Sequence, residues 1–552
     1  MNSRNRSEVL AAIESQPNVD VLIIGGGING IGTFRDLAMQ GVRVLLVEKS
    51  DFCSGASAAS SHMVHGGIRY LENGEFRLVR EAVHERNLLL QYAPHYVRPL
   101  PTVIPIFKRF SGLLNAPLKF LGLLQKPSER GSIVIKLGLM MYDAYTRKQK
   151  TVPRHRFFSR KNALAEFPHL NPKITNAAVY YDAAFNMPER LGMEVLLDGL
   201  DASKDAMALN YVAAVGMSHP EGQATSVQLK NELTGETIFV TPKLIVNAAG
   251  PWVDFANEAL GTKSRFMGGT KGSHLVLDHP ELRKAIGENE FFFENTDGRI
   301  TLIFPFQNRV LIGTSDIPID QPDDAECTEE EVDYFLDMIK IVFPGIQPER
   351  SHIVYRFSGV RPLPASDANT PGQVSRDHSI KVIEPEESNG PAILSLVGGK
   401  WTSFRAFSEL VSDTVLKRLD RSRVCSTEEM AIGGGKDFPK SDSEKSDWLK
   451  ALQTESGLPA EVLLVLFDRY GTGSQAIAKF IAEQSDQQDA TSIAFEVTED
   501  SEPWFKGELA YVAQQELVCR AEDILTRRTL IRMQGQSSAE TEQAVEAIVA
   551  AK

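Results

Sequence analysis

The alternation of apolar and polar positions is sharpest near the start of the chain. Val21-Leu22-Ile23-Ile24 is an unbroken apolar run, which predicts a buried parallel strand. Gly25, Gly27 and Gly30 follow, then a polar-apolar helical pattern that Gly41 stops, then a second strand-like run ending in Glu48. This order of strand, glycines, helix, strand and terminal acid is a dinucleotide-binding βαβ fingerprint. Gly25 makes the tight turn, Gly27 lets backbone N–H groups approach a pyrophosphate, and Gly30 lets the helix pack close to the strand. The helix start favours a dianion, and Glu48 stands where an acid hydrogen-bonds a ribose. With the acid being Glu48 and the fingerprint so near the N-terminus, the adenosine half of FAD is favoured over free NAD.

Further along, small and hydroxyl residues run from Ser50 to Ser61 and include Ser57 and Ser60. They suit a backbone wrapped around a flat polar ligand. A flexible linker is the alternative, but a rigid His65-Gly66-Gly67 turn and an apolar helix follow at once. Residues 150 to 240 alternate short strand-like runs with loops, and Asn186 and Pro188 are placed to cap and begin a helix. Leu244 to Asn247 reads as another buried strand, ending in the small residues Ala248, Ala249 and Gly250. Lys271 to Leu277, Ile300 to Phe304 and Val310 to Asp316 read as strands of a mostly antiparallel sheet. Val332, Phe335, Leu336 and Ile339 mark one amphipathic helix. Arg356 to Leu363 puts Arg361 in a rigid turn. Ile393 to Val397 is a buried strand, followed by Gly398-Gly399-Lys400 and a helix whose first turn, near Thr402, offers N–H donors. Gly433 to Ser446 reads as a linker, and 447 to 552 carries helical spacing.

Composition adds exclusions. A formal charge of −13 over 552 residues argues against nucleic acid as a partner, so an anionic substrate needs a local basic pocket. The four cysteines lie far apart with no metal-ligand or disulfide spacing, which fits a reducing compartment. The first residues are polar, unlike an ordinary signal peptide, and no run reaches the about 18 apolar residues of a spanning helix. One segment breaks the acidic trend. Between Ile104 and Arg147, Lys108, Arg109, Lys119, Lys126, Arg130 and Lys136 interleave with large apolar residues, and Glu129 is the only acid before Asp143. This reads either as a surface-lying amphipathic element for anionic lipid or as a core helix with lysines at its rim.

The series from Gly25 through His65-Gly66-Gly67-Ile68-Arg69-Tyr70-Leu71-Glu72 closely resembles the FAD-dependent glycerol-3-phosphate dehydrogenases, the respiratory enzymes of bacteria and mitochondria. Tyr181-Asp182, the Arg356 to Leu363 and Ile393 to Arg405 stretches, and Asp523 to Thr529 follow in that family's order, so the resemblance spans about 18 to 535. Two departures stand out: Trp401 replaces an aliphatic residue, and His62 stands where the family tends to a lysine.

The resemblance implies an α/β fold: a Rossmann-like FAD-binding domain interleaved with a mostly antiparallel β-sheet substrate domain, plus a C-terminal helical domain. The expected FAD-binding domain covers 18–430 in segments near 18–100, 170–265 and 355–430. The substrate domain takes 100–170 and 266–354, 431–446 is a linker, and 447–552 is helical. The implied reaction oxidises sn-glycerol 3-phosphate to dihydroxyacetone phosphate by hydride transfer to flavin N5 and passes electrons to a membrane quinone. Such a protein would sit peripherally on the cytoplasmic face of the membrane, docking near 107–137; a homodimer is left open.

Oxidising a secondary alcohol needs a proton acceptor and cations for the anionic handle. His65, Arg361 and Lys400 are the expected catalytic residues, with His65 the first choice of proton acceptor and Lys400 the second. Arg69, Tyr70, Arg361 and Lys400 would hold the phosphate and hydroxyls. The expected FAD contacts are Gly25, Gly27, Gly30, Glu48, Ser57, Ser60, Ser61, Gly66, Gly67, Ala249, Gly250, Gly399 and Thr402; no metal is expected. His274, His62 and Arg376 are secondary candidates. An oxygen-using oxidase of the same family, or a dehydrogenase of another polyol phosphate, are the alternatives.

Overall fold

The computed structural model describes residues 4–68, 75–108, 132–146, 151–218, 224–295, 299–365, 377–385, 390–496 and 502–552. Arg69, Tyr70, Arg376 and most of the basic apolar segment, 109–131, lie outside the described residues.

Two sheets carry the fold. In the first, Ala392–Val397, Thr237–Asn247, Asn18–Ile24, Val44–Val47 and Ala206–Leu209 lie side by side and parallel, with Ser379–Ile383 as an antiparallel edge. Its strands read as continuous apolar runs because both faces are covered. Val21, Ile23, Val44 and Leu46 pack on Ile31, Phe34 and Leu37 of the helix Ile28–Met39. The alternate residues Leu22, Ile24, Leu45 and Val47 meet Val9 and Ile13 of the helix Arg6–Ser15 and the paired strands Val212–Ser218 and Ser226–Asn231. The N-terminal stretch, polar in sequence, therefore contributes a helix that buries only two of its residues.

The second sheet has ten strands among the described residues and is antiparallel except where Glu290–Glu294 meets Val97–Ile106. Thr270–Leu277 lies between Arg309–Gly313 and Ile353–Arg361, and Asn176–Phe185 lies between Val97–Ile106 and the short Met63–Val64. The expected amphipathic helix is Glu329–Val342, started by a Thr328/Glu331 capping box, and it sets Val332, Phe335 and Ile339 against this sheet. Helices from Asp442–Ser456 to Ala539–Ala550 close the chain. The first of them, with part of Lys506–Gln515, share a core of their own around Leu463, Leu466 and Ile477.

Several expectations are corrected by this arrangement. Asn176–Phe185 and Ile353–Arg361 pair within the second sheet, so the expected FAD-domain segments beginning near 170 and 355 open on strands of the other layer. Arg361 ends a strand and does not sit in a turn: Gly359 brings that strand so close to Ala59 that an added Cβ would lie 2.2 Å from the Ala59 Cβ. Asn186 does not cap its helix; Met187 occupies the cap position and Pro188 the first turn. Gly433–Gly435 is no loose linker. Its backbone packs so tightly that a Cβ at Gly434 would sit 1.8 Å from the Tyr470 carbonyl oxygen, and the next helix already begins at Asp442, capped by Ser441.

Candidate active site

The fingerprint turn is built as its glycines require. Gly25 has φ +109°, and a Cβ there would lie 2.6 Å from the Ala248 carbonyl oxygen. At Gly30 a Cβ would lie 2.0 Å from the Gly25 carbonyl oxygen, so helix and strand touch by backbone. Gly27 is the N-cap of Ile28–Met39 and provides no side-chain cap, which leaves the helix start open to an anion. Glu48 ends its strand beside this turn; its carboxylate accepts from the Gly26 N–H at 2.6 Å and the Ser50 N–H at 2.9 Å. Ala249 and Gly250, the latter at φ +57°, continue the neighbouring Thr237–Asn247 strand at the same end of the sheet.

Residues 57–67 form a seam between the two sheets. Ser57 Oγ accepts the Ile28 N–H at 3.0 Å, and its carbonyl accepts the Trp401 indole N–H at 3.0 Å. The large indole thus ties the seam to the Gly398-Gly399-Lys400 turn, in place of the aliphatic residue expected at that position. Ser60 is spent on the local turn, its Oγ accepting the His62 N–H, whereas Ser61 Oγ meets His274 Nε2 at 2.8 Å. Gly66 is fixed from beneath: its N–H donates to Asp182 at 2.9 Å, and a Cβ would lie 2.0 Å from the Tyr142 hydroxyl oxygen. Asp182 in turn pairs with Arg86 at 2.9 Å, both side chains being fully buried. Gly67 adopts φ +76°, a left-handed turn that glycine takes without strain.

This scaffold brings His65, Lys400, Thr402 and Ser403 to the wall of one small cavity, together with Glu81 and His378. Gly398 and Gly399, at φ +83° and +95°, turn the Ala392–Val397 strand into the helix Phe404–Arg418, so Lys400 is presented just ahead of a helix start. Arg361 stands on the second sheet beside His274. Its Nη2 donates to Thr314 Oγ1 and to the Ser315 carbonyl, both at 2.9 Å, and Nη1 lies 3.2 Å from Asp316. Gly272 makes room for it, since a Cβ there would be 2.3 Å from Arg361 Nη2.

Two histidines are held neutral. Burial, with Arg361 nearby, lowers the His274 pKa to about 3, and its ring stacks on Phe357 at 4.9 Å. His62 is lowered to about 4 by burial, packs edge-on to Phe306, and has Nδ1 3.3 Å from the Phe185 carbonyl oxygen. His62, a departure expected from the sequence, is therefore a core histidine. Sequence reasoning did not single out Glu81, Asp377 or His378 for a role; the only signal was the Ser375-Arg376-Asp377-His378 stretch, and its neighbour across the cavity is remote in sequence.

The residues fit an FAD. Besides the backbone cradle, Asn29 Oδ1 at the start of the fingerprint helix is buried with no protein partner, and its amide lies so close to Gly399 that a Cβ there would be 2.3 Å from Nδ2. Any side chain at Gly399 would close that gap.

A strand-turn-helix dinucleotide cradle beside a second, mostly antiparallel sheet defines a flavin-type oxidoreductase. Comparison with known proteins agrees. Residues 20–390 match the FAD dependent oxidoreductase family, and 425–552 match the C-terminal domain of alpha-glycerophosphate oxidase. A glycerol-3-phosphate dehydrogenase of Synechocystis sp. is 33% identical over 534 residues, covering 93% of this chain and 89% of its own. An aerobic glycerol-3-phosphate dehydrogenase of Staphylococcus aureus is 29% identical, covering 92% and 86%. In fold, the chain is similar to the crystal structure of glycerol-3-phosphate dehydrogenase from Bacillus halodurans complexed with FAD, with a TM-score of 0.72 at 22% identity over 99% of this chain and 97% of that one. It is also similar to the L-alpha-glycerophosphate oxidase from Mycoplasma pneumoniae with FAD bound, with a TM-score of 0.53 at 17% identity over 75% and 98%. The chain belongs to the FAD-dependent oxidoreductases, and within them to the glycerol-3-phosphate dehydrogenase family.

Proposed function

We propose that the protein oxidises the secondary hydroxyl of sn-glycerol 3-phosphate to the ketone of dihydroxyacetone phosphate and passes the electrons to a membrane quinone. The observation that carries this reading is the convergence of His65 and Lys400 on one cavity at the end of the dinucleotide-binding sheet, with Arg361 on the facing sheet. FAD, when bound in the cradle around Gly25, Gly27, Gly30 and Glu48, supplies a hydride acceptor at N5. The chain's own residues do the rest. Arg361, on the facing sheet, carries a planar guanidinium suited to a phosphate, and Lys400, just past the Ala392–Val397 strand, supplies a compact charge. His65 accepts the hydroxyl proton on a ring nitrogen as the carbon-bound hydrogen departs, so that the ketone leaves without a strong base in solution.

The acceptor reading rests on the basic apolar segment and on the helix that follows it. Ile133, Leu137 and Met140, one helical face of Ser132–Thr146, are about half exposed, and no helix among the described residues is long and apolar enough to cross a membrane. An apolar face of this kind, next to many lysines and arginines, suits peripheral contact with an anionic bilayer. Purified protein should turn over glycerol 3-phosphate with a short-chain quinone in anionic vesicles and yield little peroxide under air. Peroxide formed in step with substrate, with no stimulation by quinone, would instead make oxygen the acceptor.

A further inference from the structure

Helix Phe76–Tyr92 and the loop entering Ser379–Ile383 meet behind Lys400. Glu81 from the helix and His378 from the loop line the same cavity as His65 and Lys400, and that cavity, of about 10 Å³, has room for about one water. His378 Nδ1 lies 3.6 Å from Glu81 Oε1, a gap that one water or a small shift bridges. On its other side Glu81 reaches the surface: its Oε2 accepts from Arg77 Nη1 at 3.3 Å, and Arg77, 63% exposed, also pairs with Asp377.

Resting on the proposed reaction, we propose that Glu81, held by Arg77 and His378, is the group through which the substrate's hydroxyl proton leaves the His65–Lys400 cavity for solvent. The substrate O–H bond breaks as His65 gains an N–H. That N–H then passes its proton through the cavity water to a Glu81 oxygen, and the carboxylic acid so formed releases it at the surface. The two electrons of the C–H bond go to the flavin, so the path carries protons only.

The charges facing Glu81 suit this task. Arg77 and Glu85 lie on its own helix, Asp377 and His378 on the entering loop, and Lys400 across the cavity. Burial raises the Glu81 pKa, with Arg77 and Lys400 opposing and Asp377 and Glu85 assisting, so the carboxylate is a better proton acceptor than an exposed one. Burial lowers the His378 pKa, which keeps the ring a neutral neighbour at physiological pH. His378 is further fixed by its backbone N–H on Asp377 Oδ1 at 2.9 Å and by its ring against Phe407 at 4.4 Å. In this role Glu81 is a positioning and relay residue, since it acts through His65.

The test is anaerobic stopped-flow reduction of the holoenzyme flavin by glycerol 3-phosphate between pH 5.5 and 8.5, for wild type, Glu81→Gln and Glu81→Asp. Glu81→Gln should lower the limiting reduction rate about tenfold to a hundredfold, change the shape of its pH profile, and leave substrate affinity within about threefold. Glu81→Asp should keep the wild-type profile shape at a lower rate, which separates proton transfer from a fold defect. A Glu81→Gln profile that superimposes on wild type, or a change confined to affinity, overturns the relay. If wild-type flavin is not reduced by glycerol 3-phosphate at any pH, the proposed reaction itself fails and the relay with it.

Discussion

Asp51, three residues past Glu48, and Arg528, in the last helical domain, form a fully buried ion pair at 2.6 Å. Arg527 adds a second guanidinium at 2.5 Å, and Asn210 donates to the same carboxylate at 2.9 Å. The C-terminal domain therefore clamps the loop that follows Glu48.

Removing one partner of such a pair leaves a buried charge uncompensated, so Asp51→Asn should cost about 3 to 5 kcal/mol. The variant should also release FAD on gel filtration and expose the domain junction to protease. Burial alone would raise the Asp51 pKa, but Arg528 and Arg527 hold it at about 2, against an ordinary 3.8. The pair's contribution is thus complete above about pH 4 and is lost as pH falls through 2. If Asp51→Asn melts and binds FAD like wild type, the clamp is not coupled to the cofactor site.

Glu290 gives the opposite pH dependence. It is buried, among the described residues only Thr102 donates to it, at 2.8 Å, and burial raises its pKa from 4.5 to about 8. The folded protein keeps this proton where the unfolded chain has lost it, so stability falls by about 1.4 kcal/mol per pH unit from pH 4.5 up to 8. Glu290→Gln mimics the neutral acid. Because Glu189 is raised in the same way, urea unfolding across that range should show a decline steeper in wild type than in the variant by about 1.4 kcal/mol per pH unit; parallel curves would mean that Glu290 is ionised in the fold.

Arg361 and Gly272 test the phosphate handle from two sides. Arg361→Ala should raise KM for glycerol 3-phosphate about tenfold to a hundredfold while FAD content stays at one per chain, since charged hydrogen bonds contribute about 1.5 to 3 kcal/mol. Gly272→Ala leaves the arginine in place but drives a methyl into the space its guanidinium occupies, and should raise KM in the same direction. Unchanged kinetics in both would remove Arg361 from the site.

Much of this was legible because it is local. The Val21–Ile24 run, the Gly25, Gly27 and Gly30 spacing and the strand-glycine-lysine order at Lys400 each fix a turn within a few residues. What sequence misplaced depends on distant partners. Asn176–Phe185 reads equally well as a strand of either sheet, and only its register against Val97–Ile106 decides. The Gly359 and Pro362 neighbours make Arg361 look like a turn residue, whereas Gly359 serves the close approach of Ala59. Glu81 and His378 meet across the fold, so neither carries a visible motif.

The account's central claim is that His65 and Lys400, with Arg361, serve the oxidation of a phosphorylated alcohol on a bound flavin. Its most direct test is the visible spectrum of the purified holoenzyme under anaerobic conditions, before and after sn-glycerol 3-phosphate, with glycerol as control. Bleaching of the flavin band by the phosphate ester and not by glycerol is the predicted result. A flavin spectrum unchanged by the phosphate ester would contradict it.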